Sequence, residues 1–167
     1  MQISNLRVGT GYDVHAFAPD RDLILGGVTI PYGLGLAGHS DADVLTHALM
    51  DALLGAARVE GAYDIGNLFP DTDAQFKNAD SVELLRVVLR TITDAGFQIL
   101  DADCVLIAEA PKLSPYREEM RTNLAQALEI DVSMIGLKAT TTEGLGFVGR
   151  KEGIAAQATV LLYRFAV

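Results

Sequence analysis

His39-Ser40-Asp41-Ala42-Asp43-Val44-Leu45-Thr46-His47 is the stretch on which the reading of this 167-residue chain turns. Ser40 followed three residues later by Asp43 has the form of a helix capping box, with Asp in place of Glu or Gln. Gly38 precedes it, and Leu45, Leu49, Ala52, Leu53 and Ala56 follow at helical spacing, which predicts a helix from about Asp41 to Ala57. Asp43, His47 and Asp51 recur every four residues off that apolar row, so His47 is expected to face something other than the deepest core. Taken alone, a histidine on a packed helix is a hydrogen-bonded structural residue.

Asp13-Val14-His15 changes the weight of His47. It ends an apolar run, and period-two alternation puts Asp13 and His15 on one face with Val14 on the other. Two donors from one strand end and a third from a helix make an Asp, His, His set, the arrangement of a catalytic zinc site with an open fourth position. An ion pair beside an unrelated histidine is the alternative that spacing leaves open.

Working outward, Leu6 to Phe17 and Leu23 to Ile30 read as strands with close backbone approaches at their glycines. Glu60 to Ala79 is a polar loop too long for a simple connection. Asp80-Ser81 opens a second helix carrying Leu84, Leu85, Val88, Leu89 and Ile92, with Gly96 as its stop. Phe97 to Glu109 is a third strand, Ser114-Pro115 an N-cap and first-turn proline before a third helix, and Ile135 to Thr141 and Ile154 to Arg164 the last strands. This order predicts an α+β fold over residues 1–167 as a single domain, a mixed β-sheet with helices packed on one face. Apolar residues at both strand parities leave the other face in need of cover, which predicts oligomerisation through the sheet.

Composition limits the partners. Thirteen Lys and Arg against twenty-two Asp and Glu give a net charge of -9 with no basic run, which argues against nucleic acid. No apolar run approaches a membrane span, and no leader is apparent before Leu6, so a soluble intracellular protein is expected. The single cysteine, Cys104, excludes a disulfide framework within the chain and reads as a buried apolar residue. A phosphorylated ligand would need its charge offset locally, by a metal or by isolated Lys and Arg.

Several segments offer such chemistry. Phe69-Pro70-Asp71-Thr72-Asp73, with Asp64-Ile65-Gly66 before it, supplies acceptors for polyol hydroxyls, though a surface turn is the ordinary reading. Lys138-Ala139-Thr140-Thr141-Thr142-Glu143-Gly144 ends a strand with three hydroxyls and a carboxylate that suits a hard Mg²⁺ ion. Lys112 and the glycine-flanked Arg150-Lys151 are isolated positive charges where an anion can dock.

In their order, these segments resemble the 2-C-methyl-D-erythritol 2,4-cyclodiphosphate synthase family of non-mevalonate isoprenoid biosynthesis. The resemblance runs from about Val8 to Tyr163 through Gly-Tyr-Asp13-Val-His15-Ala-Phe, Ile-Leu-Gly-Gly-Val, Gly-His39-Ser40-Asp-Ala-Asp-Val, His47-Ala-Leu, Asp64-Ile-Gly66, Leu-Phe69-Pro-Asp71-Thr-Asp73, Ala-Pro-Lys112, Lys-Ala-Thr-Thr-Thr-Glu143 and Gly-Phe147-Val-Gly-Arg150. It implies a lyase that converts 4-diphosphocytidyl-2-C-methyl-D-erythritol 2-phosphate to the cyclic diphosphate and CMP, the substrate's own 2-phosphate attacking its β-phosphorus. It implies zinc, or a similar divalent ion, on Asp13, His15 and His47, and Mg²⁺ or Mn²⁺ on Glu143. His39 and Thr141 would stabilise the transition state.

The resemblance also assigns the substrate contacts. Asp13, Val14, His15, His39, Ser40, Asp64, Ile65, Gly66, Phe69, Pro70, Asp71, Thr72 and Asp73 would bind the phosphates and the erythritol portion. Ala108, Glu109, Ala110, Pro111, Lys112, Leu113 and Ser114, with Thr140, Thr141, Thr142 and Glu143, would take the nucleotide from across a subunit boundary. The implied assembly is a homotrimer whose sheets face a central axis, with Phe147, Arg150 and Glu152 at a central cavity for which an isoprenoid diphosphate is a candidate occupant. A bacterial cytoplasmic location is implied, a processed plastid protein being the alternative. Two departures stand out: a longer Ala57 to Tyr63 connection, and Glu109 where the family generally has Gln. That extra charge either weakens nucleotide binding or points to solvent.

Overall fold

The computed structural model describes residues 2–70 and 72–165. Five strands form one mixed sheet. β1 (Leu6–Ala18) runs antiparallel to β7 (Gly153–Arg164), β7 antiparallel to β5 (Phe97–Ile107), and β5 parallel to β6 (Ile135–Thr140). β4 (Gly35–Leu36) adds to the outer edge of β1, so the order is β4-β1-β7-β5-β6. The expected single strand from Leu23 to Ile30 is instead a separate hairpin, β2 (Leu23–Leu25) and β3 (Val28–Ile30). Gly26 and Gly27 both take positive φ, 56° and 70°, which turns the chain in two residues.

Helix α1 (Val44–Ala57) lies against β1 and β7, and α3 (Ser81–Asp94) and α4 (Arg117–Ala127) continue the layer over β5 and β6. Twelve of the fourteen α1 residues are buried, so α1 is the hub of the core rather than a one-sided surface helix. Its Ala48 and Ala52 sit over Gly9 and Gly11 of β1. A Cβ on Gly9 would stand 2.0 Å from the Ala52 carbonyl oxygen, and one on Gly11 2.0 Å from that of Ala48. Only bare backbone lets helix and strand approach so closely, and that approach brings His47 down onto the end of β1.

Three sequence expectations need correction at element ends. α1 starts at Val44, not near Asp41, because Ala42 is left-handed at φ 59° and Asp43 is itself the N-cap, accepting from Thr46 N at 3.0 Å. The Glu60 to Ala79 loop contains α2 (Ile65–Leu68) and a 3-10 turn, Ala74–Phe76. Ser114 does not cap α4; a 3-10 turn over Ser114–Tyr116 leads into it.

The sheet's other face carries no helix among the described residues. Val8, Tyr12 and Val14 of β1 stand 59%, 55% and 43% exposed there, the uncovered apolar face that the strand parities predict. Cys104 is buried on the covered side, and burial pushes its thiol up to about 12. The last short helix, α5 (Gly146–Gly149), precedes β7.

Candidate active site

The end of β1 and the first turn of α1 meet at three side chains. Asp13 Oδ2 lies 3.0 Å from His15 Nε2 and 3.0 Å from His47 Nδ1, and the two nitrogens are 3.1 Å apart. Donor atoms at about 2.0–2.1 Å from a tetrahedral zinc are separated by roughly 3.3 Å, so the triad needs little adjustment to hold such an ion. Both imidazoles are held at their other nitrogen. His15 Nδ1 is 2.6 Å from the Ala37 carbonyl, which accepts only from a protonated Nδ1, so the neutral ring presents a bare Nε2 and the charged ring a proton there for Asp13. His47 Nε2 lies 3.0 Å from Ser81 Oγ and 3.1 Å from Ser40 Oγ. Such outer partners are what metal-binding histidines ordinarily carry.

The charges agree with that use. Burial alone would raise Asp13, but hydrogen bonds and attraction from His15 and His47 outweigh it and hold the carboxyl well below its usual range. Burial would lower His15, yet its hydrogen bond to Asp13 raises it. The triad is therefore an ionised carboxylate that takes a hydrogen bond from a His15 held protonated, a cluster that can exchange that proton for a cation.

A cavity of about 240 Å³ opens beside these groups, lined also by His39, Ser40, Ile65, Gly66, Phe69 and Phe76. Arg21 fastens its Gly38 to Ser40 rim, donating to the carbonyls of Gly38 and Ser40. His39 Nε2 is buried without a hydrogen-bond partner among the described residues, an orphaned donor or acceptor at the cavity wall. Phe69 is buried and meets Phe76 edge-on at 5.3 Å, both rings lining the cavity.

A model of the YgbB family matches residues 6–163. The chain belongs to the YgbB family. A 2-C-methyl-D-erythritol 2,4-cyclodiphosphate synthase from Enterococcus faecalis is 57% identical over 157 residues, 94% of this chain and 98% of that one. Its counterpart in Geobacillus kaustophilus is 58% identical over 158 residues, 95% and 98% of the two chains. Among solved structures, the bifunctional IspDF of Campylobacter jejuni matches at a TM-score of 0.90 and 48% identity, over 96% of this chain and 42% of that chain. A Plasmodium falciparum IspF in complex with CDP matches at 0.83 and 34% identity, over 99% of this chain and all of that one.

Within this YgbB chain, the residues singled out from sequence fall into two groups. Asp13, His15, His39, Ser40, His47, Ile65, Gly66 and Phe69 line the first cavity together. Val14 does not; its side chain is on the open sheet face, and only its amide turns toward Asp13. Asp64 caps α2 through Asn67 N, Asp73 caps the following turn, Pro70 and Thr72 lie outside the lining, and Asp71 falls outside the described residues.

A second cavity, about 310 Å³, gathers Ala108, Glu109, Pro111, Lys112, Leu113, Ser114, Thr140 and Thr141, while Ala110 stands just outside the lining. Thr141 Oγ1 donates to Glu143, and Thr142 donates to Glu109, so the Thr-Thr-Thr-Glu turn is braced by two carboxylates. Glu109 does not point to solvent. Its Oε1 accepts from Thr142 N and Gly144 N, and those backbone bonds depress its pKa. Phe147, Arg150 and Glu152 sit at α5 and the turn after it, Arg150 paired with Glu152 at 2.7 Å. The longer Ala57 to Tyr63 connection folds on itself through a Val59 to Ala62 bridge, leaving Tyr63 exposed.

Sequence reading missed Asp41 and Ser81. Asp80-Ser81 announces itself as an ordinary helix cap, and nothing in its spacing shows that Ser81 reaches His47.

Proposed function

We propose that the chain converts 4-diphosphocytidyl-2-C-methyl-D-erythritol 2-phosphate to 2-C-methyl-D-erythritol 2,4-cyclodiphosphate and CMP. The 2-phosphate oxygen bonds to the β-phosphorus as the bond from that phosphorus to the oxygen bridging to the α-phosphate breaks, and CMP leaves with that bridging oxygen. Nucleophile and electrophile share one molecule, so the protein's work is positioning and charge compensation. The observation that carries this reading is the convergence of Asp13, His15 and His47 at 3.0–3.1 Å on the wall of a cavity large enough for a small polyol phosphate.

Asp13, His15 and His47 hold zinc, or a similar divalent ion, which when bound supplies a Lewis acid for the diphosphate. His39 and Ser40 meet the attacking phosphate at the start of α1, where the helix dipole favours an anion. Asp64 and the Phe69 to Asp73 loop bind the erythritol hydroxyls. Ala108 to Ser114 and Thr140 to Thr142 bind the cytidine and its phosphates, Glu143 carries Mg²⁺ or Mn²⁺, and Thr141 acts with His39 on the transition state.

The chain works as one domain in a homotrimer, active sites falling between adjacent subunits. The open sheet face with Val8, Tyr12 and Val14 supports burial against other copies, with Phe147, Arg150 and Glu152 at the central cavity and an isoprenoid diphosphate as its candidate ligand. Among the described residues no helix is long and apolar enough to cross a membrane, in keeping with a cytoplasmic enzyme.

Incubation with the diphosphocytidyl substrate, with and without chelator, tests the reading. The expected result is CMP and a cyclic product, lost on chelation and restored by zinc. Acyclic phosphates would instead identify a metal-dependent phosphohydrolase, and no turnover by a trimer that binds isoprenoid phosphate would identify a binding module.

A further inference from the structure

The triad leaves a question open: what makes His47 present Nδ1, rather than a proton, to the metal position? Its Nε2 is turned from Asp13 and His15 toward the hydroxyl of Ser81 at 3.0 Å. Ser81 is wholly buried, and its own proton is committed, since Oγ–H donates to Asp41 Oδ1. A hydroxyl has one proton and two lone pairs. With its proton on Asp41, Ser81 turns a lone pair to His47, and only a protonated Nε2 satisfies it, against Asp13 Oδ2, which stands 3.0 Å from Nδ1 and draws the proton the other way. A neutral imidazole protonated at Nε2 is bare at Nδ1.

We propose that Asp41 and Ser81 are positioning residues that lock His47 in the Nε2–H tautomer and thereby make Nδ1 a metal donor. This rests on the metal reading above. Asp41 is itself fixed, its Oδ2 accepting from Ser81 N at 3.0 Å and its Oδ1 from Asp43 N at 3.2 Å, while its own amide donates to the Ala79 carbonyl at 3.1 Å. The same carboxylate therefore ties the approach to α1 to the first residue of α3 and, through Ser81, governs a proton on His47. Neither residue lines the cavity, so substrate contact does not account for them. Ser40 Oγ, 3.1 Å from Nε2, is a weaker guide: it accepts from Ala42 N, and no acceptor holds its proton, so it can serve either tautomer.

The test uses metal-free full chains of wild type, Ser81→Ala and Asp41→Asn. Long-range proton–nitrogen spectra read the His47 tautomer at a pH where the ring is neutral, and chelator competition reads Zn²⁺ affinity. Wild type is expected to show the Nε2–H form. Ser81→Ala, left with Ser40 alone, is expected to show mixed tautomers and about tenfold weaker zinc binding. Asp41→Asn is the sharper variant: with its amide oxygen kept on Ser81 N, its N–H meets Ser81 Oγ and reverses the hydroxyl, which then donates to Nε2 and moves the proton to Nδ1. It is expected to show the Nδ1–H form and a loss approaching about a hundredfold.

If both variants kept the wild-type tautomer and bound zinc within about twofold of wild type, the proposal would be overturned. Should Ser81→Ala fail to fold, the near-isosteric Asp41→Asn carries the decision by its tautomer alone, which a purely structural role would leave unmoved. Wild type failing to bind zinc at all would sink the metal reading instead, and that outcome is visible before any variant is made.

Discussion

The two cavities differ in how much of their geometry one protomer supplies. Around Asp13, His15 and His47 almost every polar atom has a partner within the chain: the Ala37 carbonyl for His15, Ser81 and Ser40 for His47, Arg21 for the adjoining loop. Around Thr140 to Gly144 most side chains are exposed, and the side-chain bracing from the strand side comes from Glu109. The first region is a preorganised cluster that could hold a metal; the second is an open surface whose side chains are left for water, ligand or neighbour to satisfy. Preorganisation follows burial here, because buried polar groups without partners cost about 1–3 kcal/mol each while exposed ones are satisfied by water.

Removing a donor from the preorganised region should do the most damage. Asp13→Ala or His15→Ala is expected to lose zinc and more than about a hundredfold in turnover, measured by metal content and CMP release. Full zinc content with wild-type turnover would break the contrast outright. Gly11→Ala attacks the same region from its scaffold. Its methyl would collide with the Ala48 carbonyl, so α1 must shift, at a cost of about 1–3 kcal/mol and with weaker zinc binding. Chemical denaturation and a zinc titration check both parts.

The open region should respond differently. Glu143→Ala is expected to raise the Mg²⁺ requirement by roughly tenfold while zinc content stays whole, and an unchanged Mg²⁺ titration would remove Glu143 from that role.

The pH response sharpens the contrast further. His15 has its pKa raised by Asp13, so in the metal-free protein their ion pair contributes stability that is fully present below the ordinary value near 6.5 and lost as pH rises through the raised one. Zinc needs that proton gone. The gain in Tm on adding zinc should therefore grow as pH rises through that window, and a gain that shrank would contradict the assignment. Smallest of all, Glu109→Gln keeps an acceptor for Thr142 and Gly144 but removes charge. It should change the KM of the nucleotide substrate by only about twofold to fivefold, with zinc binding untouched.

The same division describes what the sequence revealed. Helix α1 follows from the recurrence of Leu and Ala, and the metal triad follows from residue type and strand parity, both short-range signals. The start of α1 did not follow, because Ser40 to Asp43 has the outward form of a capping box as surely as Asp43 to Thr46 does, and the left-handed Ala42 that decides between them leaves no mark in residue type. Ser81 reaches His47 across thirty-four positions, a contact made by the packing of α3 on α1 and not by local pattern. Glu109 had two readings from sequence, and the turn to solvent is not the one it takes, since its carboxylate is held by a turn thirty-three residues on. For the second cavity only the ordered resemblance assigned a role.

Asp43 also has a consequence for how the molecule breathes. Besides capping α1 its two oxygens accept from the amides of Gly26 and Gly27, at 2.9 and 2.8 Å, so the turn of the outlying hairpin is anchored to a wholly buried carboxylate. Surface hairpin tips ordinarily trade their amide hydrogens with water long before a core helix does. Here those two hydrogens can leave only when Asp43 lets go, and Asp43 lets go only when α1 opens. In deuterated water Gly26 and Gly27 should therefore keep the slow clock of the helix at the molecule's centre, while Thr29 on the same hairpin runs fast.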